Sequence, residues 1–348
     1  MPGPTDNRSA KRGTHRMRRW RDMASARQPM RRVLLDVGMH ALAELADFLP
    51  RVQDSMAHCT LIQDIEYAHR GDVSLCLDIM QPQGSGPHPV LIYLHGGAFA
   101  IGSKRTHRAP AAVYAAEGYL VCNVDYRLAP TDPFPAAIAD ACAAWCWVVD
   151  HIGEYGGDPH RIALAGESAG ANLALGVTLA CCTQRPEPYA EPLFGRGVRP
   201  VAALLYYGFL QTSRPERYRQ SGTSLLVTQL SARIATDAAH SYLGRFASQP
   251  DAAHALADPL CVVEQMTAAA NLPPLFIAAG LSDPVAPDSQ RLEQALQRLQ
   301  SPHVAHYYPG ETHAFHLMFW RKQAQHCWRD SFEFLRQYLP IRTEIAAR

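Results

Sequence analysis

Short, nearly continuous apolar runs alternate along this chain with longer stretches whose apolar residues recur every three or four positions. No other feature constrains the fold as much, because this is the pattern of a parallel sheet covered by helices on both faces. The predicted strands are 90–95, 119–125, 161–165, 201–207, 274–279 and 304–308, rich in Val, Ile, Leu and Tyr and bounded by Gly or Pro. Runs that are apolar at every position suit strands buried on both sides. The predicted helices between them are 109–116, 136–152, 169–182, 288–299 and 322–338. Residues 70–80 alternate instead, with Val73, Leu75, Leu77 and Ile79 apolar, and read as an antiparallel edge strand or hairpin ahead of the parallel set.

Two stretches fall outside the alternation. Residues 33–48 read as an amphipathic helix before the first strand, and 211–260, with a helix near 228–243, is too long for a simple crossover. Both are placed to cover the carboxyl ends of the strands, where open parallel sheets bind ligands. The expected organisation is therefore a basic extension, 1–32, followed by a single α/β domain, 33–348, whose helical lid comes from 33–60 and parts of 211–260.

Composition narrows the function classes. With 47% apolar residues and a net charge of +1 over 348 residues, disorder over most of the chain is excluded. The longest apolar stretch, 201–210, is about half of the roughly 20 residues a membrane-spanning helix needs, so no membrane span is expected. The small net charge hides an asymmetry: residues 1–32 carry ten Lys or Arg against Asp6 and Asp22, a local net charge of +8. Such an arm can attract nucleic acid or an anionic membrane surface. Only Trp20 interleaves an aromatic with the arginines and no recognition motif follows, so the arm is read as a solvated extension, or as sequence upstream of a start at Met17, with no nucleic-acid partner.

Nine cysteines, an odd number with no Cys-x-x-Cys pair, do not make a disulfide framework and point to a reducing compartment, most simply the cytoplasm. His313-x-x-His316 and His303-x-x-His306 have ligand-like spacing, but no carboxylate and histidine cluster completes a zinc set, and no metal is expected.

The strongest local signal is Gly166-Glu167-Ser168-Ala169-Gly170, between a predicted strand and a predicted helix. A serine on that turn is held in a strained conformation that lifts its hydroxyl above the sheet. It needs a base, and the base needs an orienting acid, in the chain order serine, acid, histidine. Asp283 follows the strand 274–279, and His313 follows the strand 304–308. Asp288 and His316 are rivals: Asp288 lies where it should cap the next helix, and His316 lies three residues further along the chain. Acyl transfer also needs N–H donors for the developing oxyanion. His95-Gly96-Gly97-Ala98-Phe99 ends an early strand and offers Gly96, Gly97 and Ala98, with Ala169 as a further donor just after the serine.

These pieces, together with Asp125-Tyr126-Arg127-Leu128-Ala129-Pro130, Gly157-Asp158-Pro159 and Tyr308-Pro309-Gly310-Glu311-Thr312-His313-Ala314-Phe315, resemble the hormone-sensitive-lipase-like branch of the α/β-hydrolase superfamily over roughly residues 65–340. That resemblance implies an α/β-hydrolase fold, Ser168 as nucleophile, His313 as base, Asp283 as orienting acid, an oxyanion hole from Gly96–Ala98 and Ala169, and no cofactor. It also implies a small-molecule ester substrate with a short acyl chain, of the acetyl-esterase kind, and places the aromatic-rich 315–320 near the acyl pocket. The chain departs from the family in carrying Ala98 where a third glycine is usual, and Pro287-Asp288 where a second acid is common. An amidase or formamidase with the same triad, or a non-catalytic binding protein on this fold, are the alternative readings, and a homodimer is left open.

Overall fold

The computed structural model describes residues 30–219, 226–248, 252–268 and 271–341. Residues 1–29, which hold most of the basic extension, and residues 220–225 and 249–251 of the 211–260 insertion lie outside the described residues.

Eight strands form one sheet: β1 (Cys59–Arg70), β2 (Val73–Pro82), β3 (His88–Leu94), β4 (Leu120–Val124), β5 (Gly157–Glu167), β6 (Ala202–Tyr206), β7 (Leu275–Gly280) and β8 (His303–Tyr308). Their order is β1-β2-β4-β3-β5-β6-β7-β8. The pairs β1/β2 and β2/β4 are antiparallel; the remaining pairs are parallel. The helices are α1 (Met30–Ala46), α2 (Pro50–Ala57), α3 (Arg108–Ala116), α4 (Ala136–His151), α5 (Ala169–Cys182), α6 (Glu191–Gly195), α7 (Leu226–Leu243), α8 (Pro259–Gln265), α9 (Ala286–Arg298) and α10 (Lys322–Tyr338). No described helix is long and apolar enough to cross a membrane.

The continuous apolar runs have a direct explanation in the two cores. Side chains alternate across a strand, so Val90, Ile92 and Leu94 of β3 enter one core while Leu91 and Tyr93 enter the other. Likewise Leu275 and Ile277 of β7 face one side, and Phe276 and Ala278 the other. The first core is filled by α4, α5 and α9, through Ile138, Trp145, Leu173, Leu292 and Leu296 among others. The second is filled by α3 and α10, with Val113, Tyr114, Trp328 and Leu335. Helix α5, expected to be amphipathic, is buried along its whole length, because elements of the first core surround it on all sides.

Two further differences from the sequence reading have local causes. Strand β1 was not among the predicted strands. Its register shifts between Ile62 and Ile65 and again between Glu66 and Ala68, which breaks the period-two pattern a strand is recognised by. The aromatic stretch 315–320, expected beside the acyl pocket, divides: Phe315 and Phe319 are buried in the second core, and Trp320 is 67% exposed.

Candidate active site

The parallel strands end at one edge of the sheet, so residues remote in sequence meet there. Leu94 is in register with Gly166, Glu167 with Tyr206, and Gly280 with Tyr308. At the end of β5 the chain turns directly into α5 through Ser168, which adopts φ 53° and ψ −114°. A side-chain-bearing residue enters this region only when its surroundings enforce it. Here the Ser168 N–H donates to the Tyr206 carbonyl at 2.9 Å, and the Ser168 carbonyl accepts from the Phe209 and Asn172 N–H groups at 3.1 and 3.3 Å. The flanking glycines are a steric requirement. A Cβ on Gly166 would lie 2.2 Å from the Gly170 carbonyl oxygen, and one on Gly170 would lie 1.9 Å from that of Leu94.

His313 Nε2 is 2.9 Å from Ser168 Oγ, and His313 Nδ1 is 2.8 Å from Asp283 Oδ2. A carboxylate only accepts, so Nδ1 carries the proton and Nε2 is left to accept from the serine hydroxyl. Asp283 is itself held, its Oδ1 accepting the Val285 N–H at 3.0 Å. Burial works against a charged His313 ring, but the Asp283 carboxylate, and behind it that of Glu167, outweigh burial and raise the pKa of His313. The ring of Tyr207 meets the His313 ring edge-on at 4.8 Å.

The loop after β3 curls beside this pair. Gly97, Ala98 and Phe99 all have positive φ (111°, 58° and 56°), and the turn is closed by the Ala100 and Ile101 N–H groups donating to the Gly97 carbonyl at 2.9 Å. A Cβ on Gly97 would lie 2.1 Å from the Ile101 carbonyl oxygen, so glycine is required there. Among the described residues the N–H groups of Gly97 and Ala98 have no protein acceptor, and the N–H of Ala169 is one of the orphan donors of a first helical turn. Gly96 is placed differently: a Cβ on it would meet Glu167 Cγ at 3.2 Å, so the loop rests on Glu167 there. The segment beyond is fixed to α1, where Asp36 Oδ1 accepts the Gly102 N–H at 3.2 Å. Phe99 stacks on Tyr242 of α7 at 3.7 Å and tilts against Phe209 at 6.1 Å.

The rival residues have other contacts. Asp288 sits in the first turn of α9 but does not cap it. Its carboxylate is fully buried, takes the Leu210 and Gln211 N–H groups at 3.0 Å each and the Tyr218 hydroxyl at 2.7 Å, and pairs with Arg217 at 2.6 Å. It thus ties the start of the 211–260 insertion to the helix that follows Asp283. His316 is buried, stacks on Tyr206 at 4.5 Å, and lies 2.6 Å by Nδ1 from the Tyr207 hydroxyl. Burial lowers its pKa to about 4, so the ring is neutral. Among the described residues no group of three His, Cys, Asp or Glu side chains is arranged to hold a metal.

One buried residue was not singled out in the sequence. Glu167, adjacent to Ser168, accepts from the Tyr207 hydroxyl at 2.6 Å, the Tyr93 hydroxyl at 3.1 Å and His107 Nε2 at 2.8 Å. Burial alone would raise its pKa, but His107, His316 and Tyr207 together hold it well below the usual carboxylate range. It occupies a variable position within the serine motif, and its partners come from three other segments, so no local pattern marks it.

A family model for the alpha/beta hydrolase fold matches residues 91–317. Over 269 residues, 73% of this chain, it is 31% identical to a Mycobacterium tuberculosis protein named "Probable carboxylic ester hydrolase LipM", and the match spans 58% of that relative's length. It is 34% identical over 227 residues, 65% of this chain, to the acetyl-hydrolase of Streptomyces hygroscopicus, of which the match covers 68%. Among solved structures it is similar to a bacterial heroin esterase, with a TM-score of 0.72 at 27% identity, covering 88% of this chain and 91% of that one. With the mostly parallel eight-stranded sheet and the strand-to-helix serine turn, these matches show that the chain belongs to the α/β-hydrolase-fold family.

Proposed function

We propose that this protein is a serine carboxylesterase that hydrolyses short-chain acyl esters through an acyl-enzyme intermediate. The observation that carries the reading is the hydrogen-bonded relay from Ser168 Oγ through His313 to Asp283, with spacings of 2.9 and 2.8 Å. His313 Nε2 removes the hydroxyl proton as Ser168 attacks the ester carbonyl, then delivers it to the departing alcohol; water repeats the sequence and frees the acid. Asp283 stays ionised, holds the productive tautomer and stabilises the imidazolium. The developing oxyanion is met by N–H groups of the Gly96–Ala98 loop and Ala169, fixed in advance by the turn and the helix start.

Short acyl chains are supported by the relatives named acetyl-hydrolase and acetyl esterase, and by the stacked Phe99–Tyr242 pair and Phe209, which take up space directly beside the donor loop. The docking of α1 at Gly102, and of the insertion's first residues at Asp288, supports 33–60 and parts of 211–260 as the cover of the site. The nine cysteines, none in a disulfide, support a reducing compartment as its setting.

The test is hydrolysis of p-nitrophenyl esters from acetate to palmitate by the wild type and Ser168→Ala. Turnover should be highest on the shortest esters and fall by up to about 10⁶ in the variant. Equal rates in the two proteins would remove Ser168 from the chemistry. A maximum at long chains would refute the acyl preference alone.

A further inference from the structure

Glu167 bears on the nucleophile turn, the donor loop and the turn after β6. Its backbone precedes the nucleophile, its side chain supports Gly96 of the donor loop, and its Oε1 takes His107 Nε2 from the segment that continues that loop. Its Oε2 takes the hydroxyl of Tyr207, just past β6. The Tyr207 proton is committed to the carboxylate, so that hydroxyl oxygen accepts from His316 Nδ1–H at 2.6 Å. His316 lies three residues after His313, so the chain His316–Tyr207–Glu167 reaches the loop that carries the base. The direction of these bonds leaves the remaining nitrogen, His316 Nε2, unprotonated and buried, with no hydrogen-bond partner among the described residues. That arrangement suits a neutral ring used for position rather than proton transfer.

We infer that Glu167 is a positioning residue for the esterase reaction: a buried carboxylate that sets the nucleophile turn, the donor loop and the histidine loop against one another. The inference rests on the esterase reading of the same site. Glu167 also acts at a distance, because its negative charge favours the imidazolium that His313 becomes during attack. The groups facing it are Tyr93 of β3, His107, Tyr207 and His316. Those facing His313 are Asp283, Ser168 and Tyr207. Of all these, the residues that bear on His313 with negative charge are Asp283 and Glu167. Glutamine at 167 keeps the shape and one acceptor, but removes the charge and opposes an N–H₂ group to one of the incoming donors.

The experiment compares wild type, Glu167→Gln, Tyr207→Phe and Ser168→Ala on p-nitrophenyl acetate, with kcat, KM, the pH profile of kcat/KM and the thermal midpoint of each. Glu167→Gln should lower kcat by about 10–100-fold, the size of loss that follows removal of a partner orienting a metal ligand. KM should change little, and the acid limb of the profile should move to lower pH because His313 loses a neighbouring anion. Tyr207→Phe breaks the link to His316 while keeping the charge; it should lower kcat and leave the acid limb in place. A Glu167→Gln enzyme with wild-type kcat and an unmoved limb overturns the inference, as does one whose only change is a lower thermal midpoint. Full activity in Ser168→Ala overturns the esterase reading instead, so the two failures are distinguishable.

Discussion

The contrast between Asp283→Asn and Asp288→Asn tests the proposal that the first carboxylate serves the base while the second holds the fold. Both are buried, five residues apart, and follow the same strand. The Asp288 carboxylate satisfies two backbone N–H groups and the Tyr218 hydroxyl and pairs with Arg217, whose side chain is 21% exposed. Removing one partner of a buried ion pair costs about 3–5 kcal/mol. Partial exposure of Arg217 screens part of this, which leaves about 3 kcal/mol. At about 2.1 cal/mol/K of unfolding entropy per residue, a chain of 348 residues shifts by about 1.4 °C per kcal/mol, so Asp288→Asn should lower the thermal midpoint by about 4 °C, with a modest loss of turnover in the fraction that remains folded. Asp283→Asn keeps the shape but presents an N–H₂ or a carbonyl to His313 Nδ1 and unsettles its tautomer, so turnover should fall by about 10⁴ with a small change in midpoint. The assay is kcat on p-nitrophenyl acetate at a temperature well below both midpoints, alongside a circular-dichroism melt. If Asp288→Asn loses more turnover than Asp283→Asn at an unchanged midpoint, the reasoning is refuted and Asp288 is the orienting acid.

The pH dependence of the reaction follows from the raised pKa of His313. Only the neutral ring can act as base, so kcat/KM should fall as the pH drops through a value above the ordinary 6.5, and a stopped-assay pH profile with its acid limb below 6.5 would contradict the electrostatics of the site. Gly170→Ala drives a Cβ to 1.9 Å from the Leu94 carbonyl oxygen and 2.6 Å from that of His95, both backbone atoms. The overpacking should destabilise by about 1–3 kcal/mol and shift Ser168 enough that kcat falls more than stability does. Unchanged kcat and midpoint would show that α5 does not approach β3 so closely.

Much of the architecture was legible because it is written locally. Runs such as 274–279 are apolar at every position because β7 is buried on both faces, and α10 repeats its apolar residues at helical spacing over the bounds read from sequence. The elements that escaped were those whose local pattern is interrupted. Strand β1 lost its alternation to two register shifts, and the 315–320 aromatics face two different environments, which composition cannot separate.

In the site, the sequence by itself marked Ser168 as the candidate nucleophile, because glycine at 166 and 170 and a serine between strand and helix form a steric requirement confined to five residues. It also determined which residues follow each strand, and so the candidates for acid and base. Only the tertiary structure set Asp283 beside His313 and Asp288 among Leu210, Gln211, Tyr218 and Arg217, partners that sheet order and the insertion bring to them. Glu167 was visible only there as well: its partners Tyr93 and Tyr207 stand 74 and 40 residues away in the chain. A hydrogen bond between such residues is set by register, burial and the direction in which each strand ends. Periodicity and spacing describe the chain one segment at a time, and a charge held in place by several segments at once is decided when they pack.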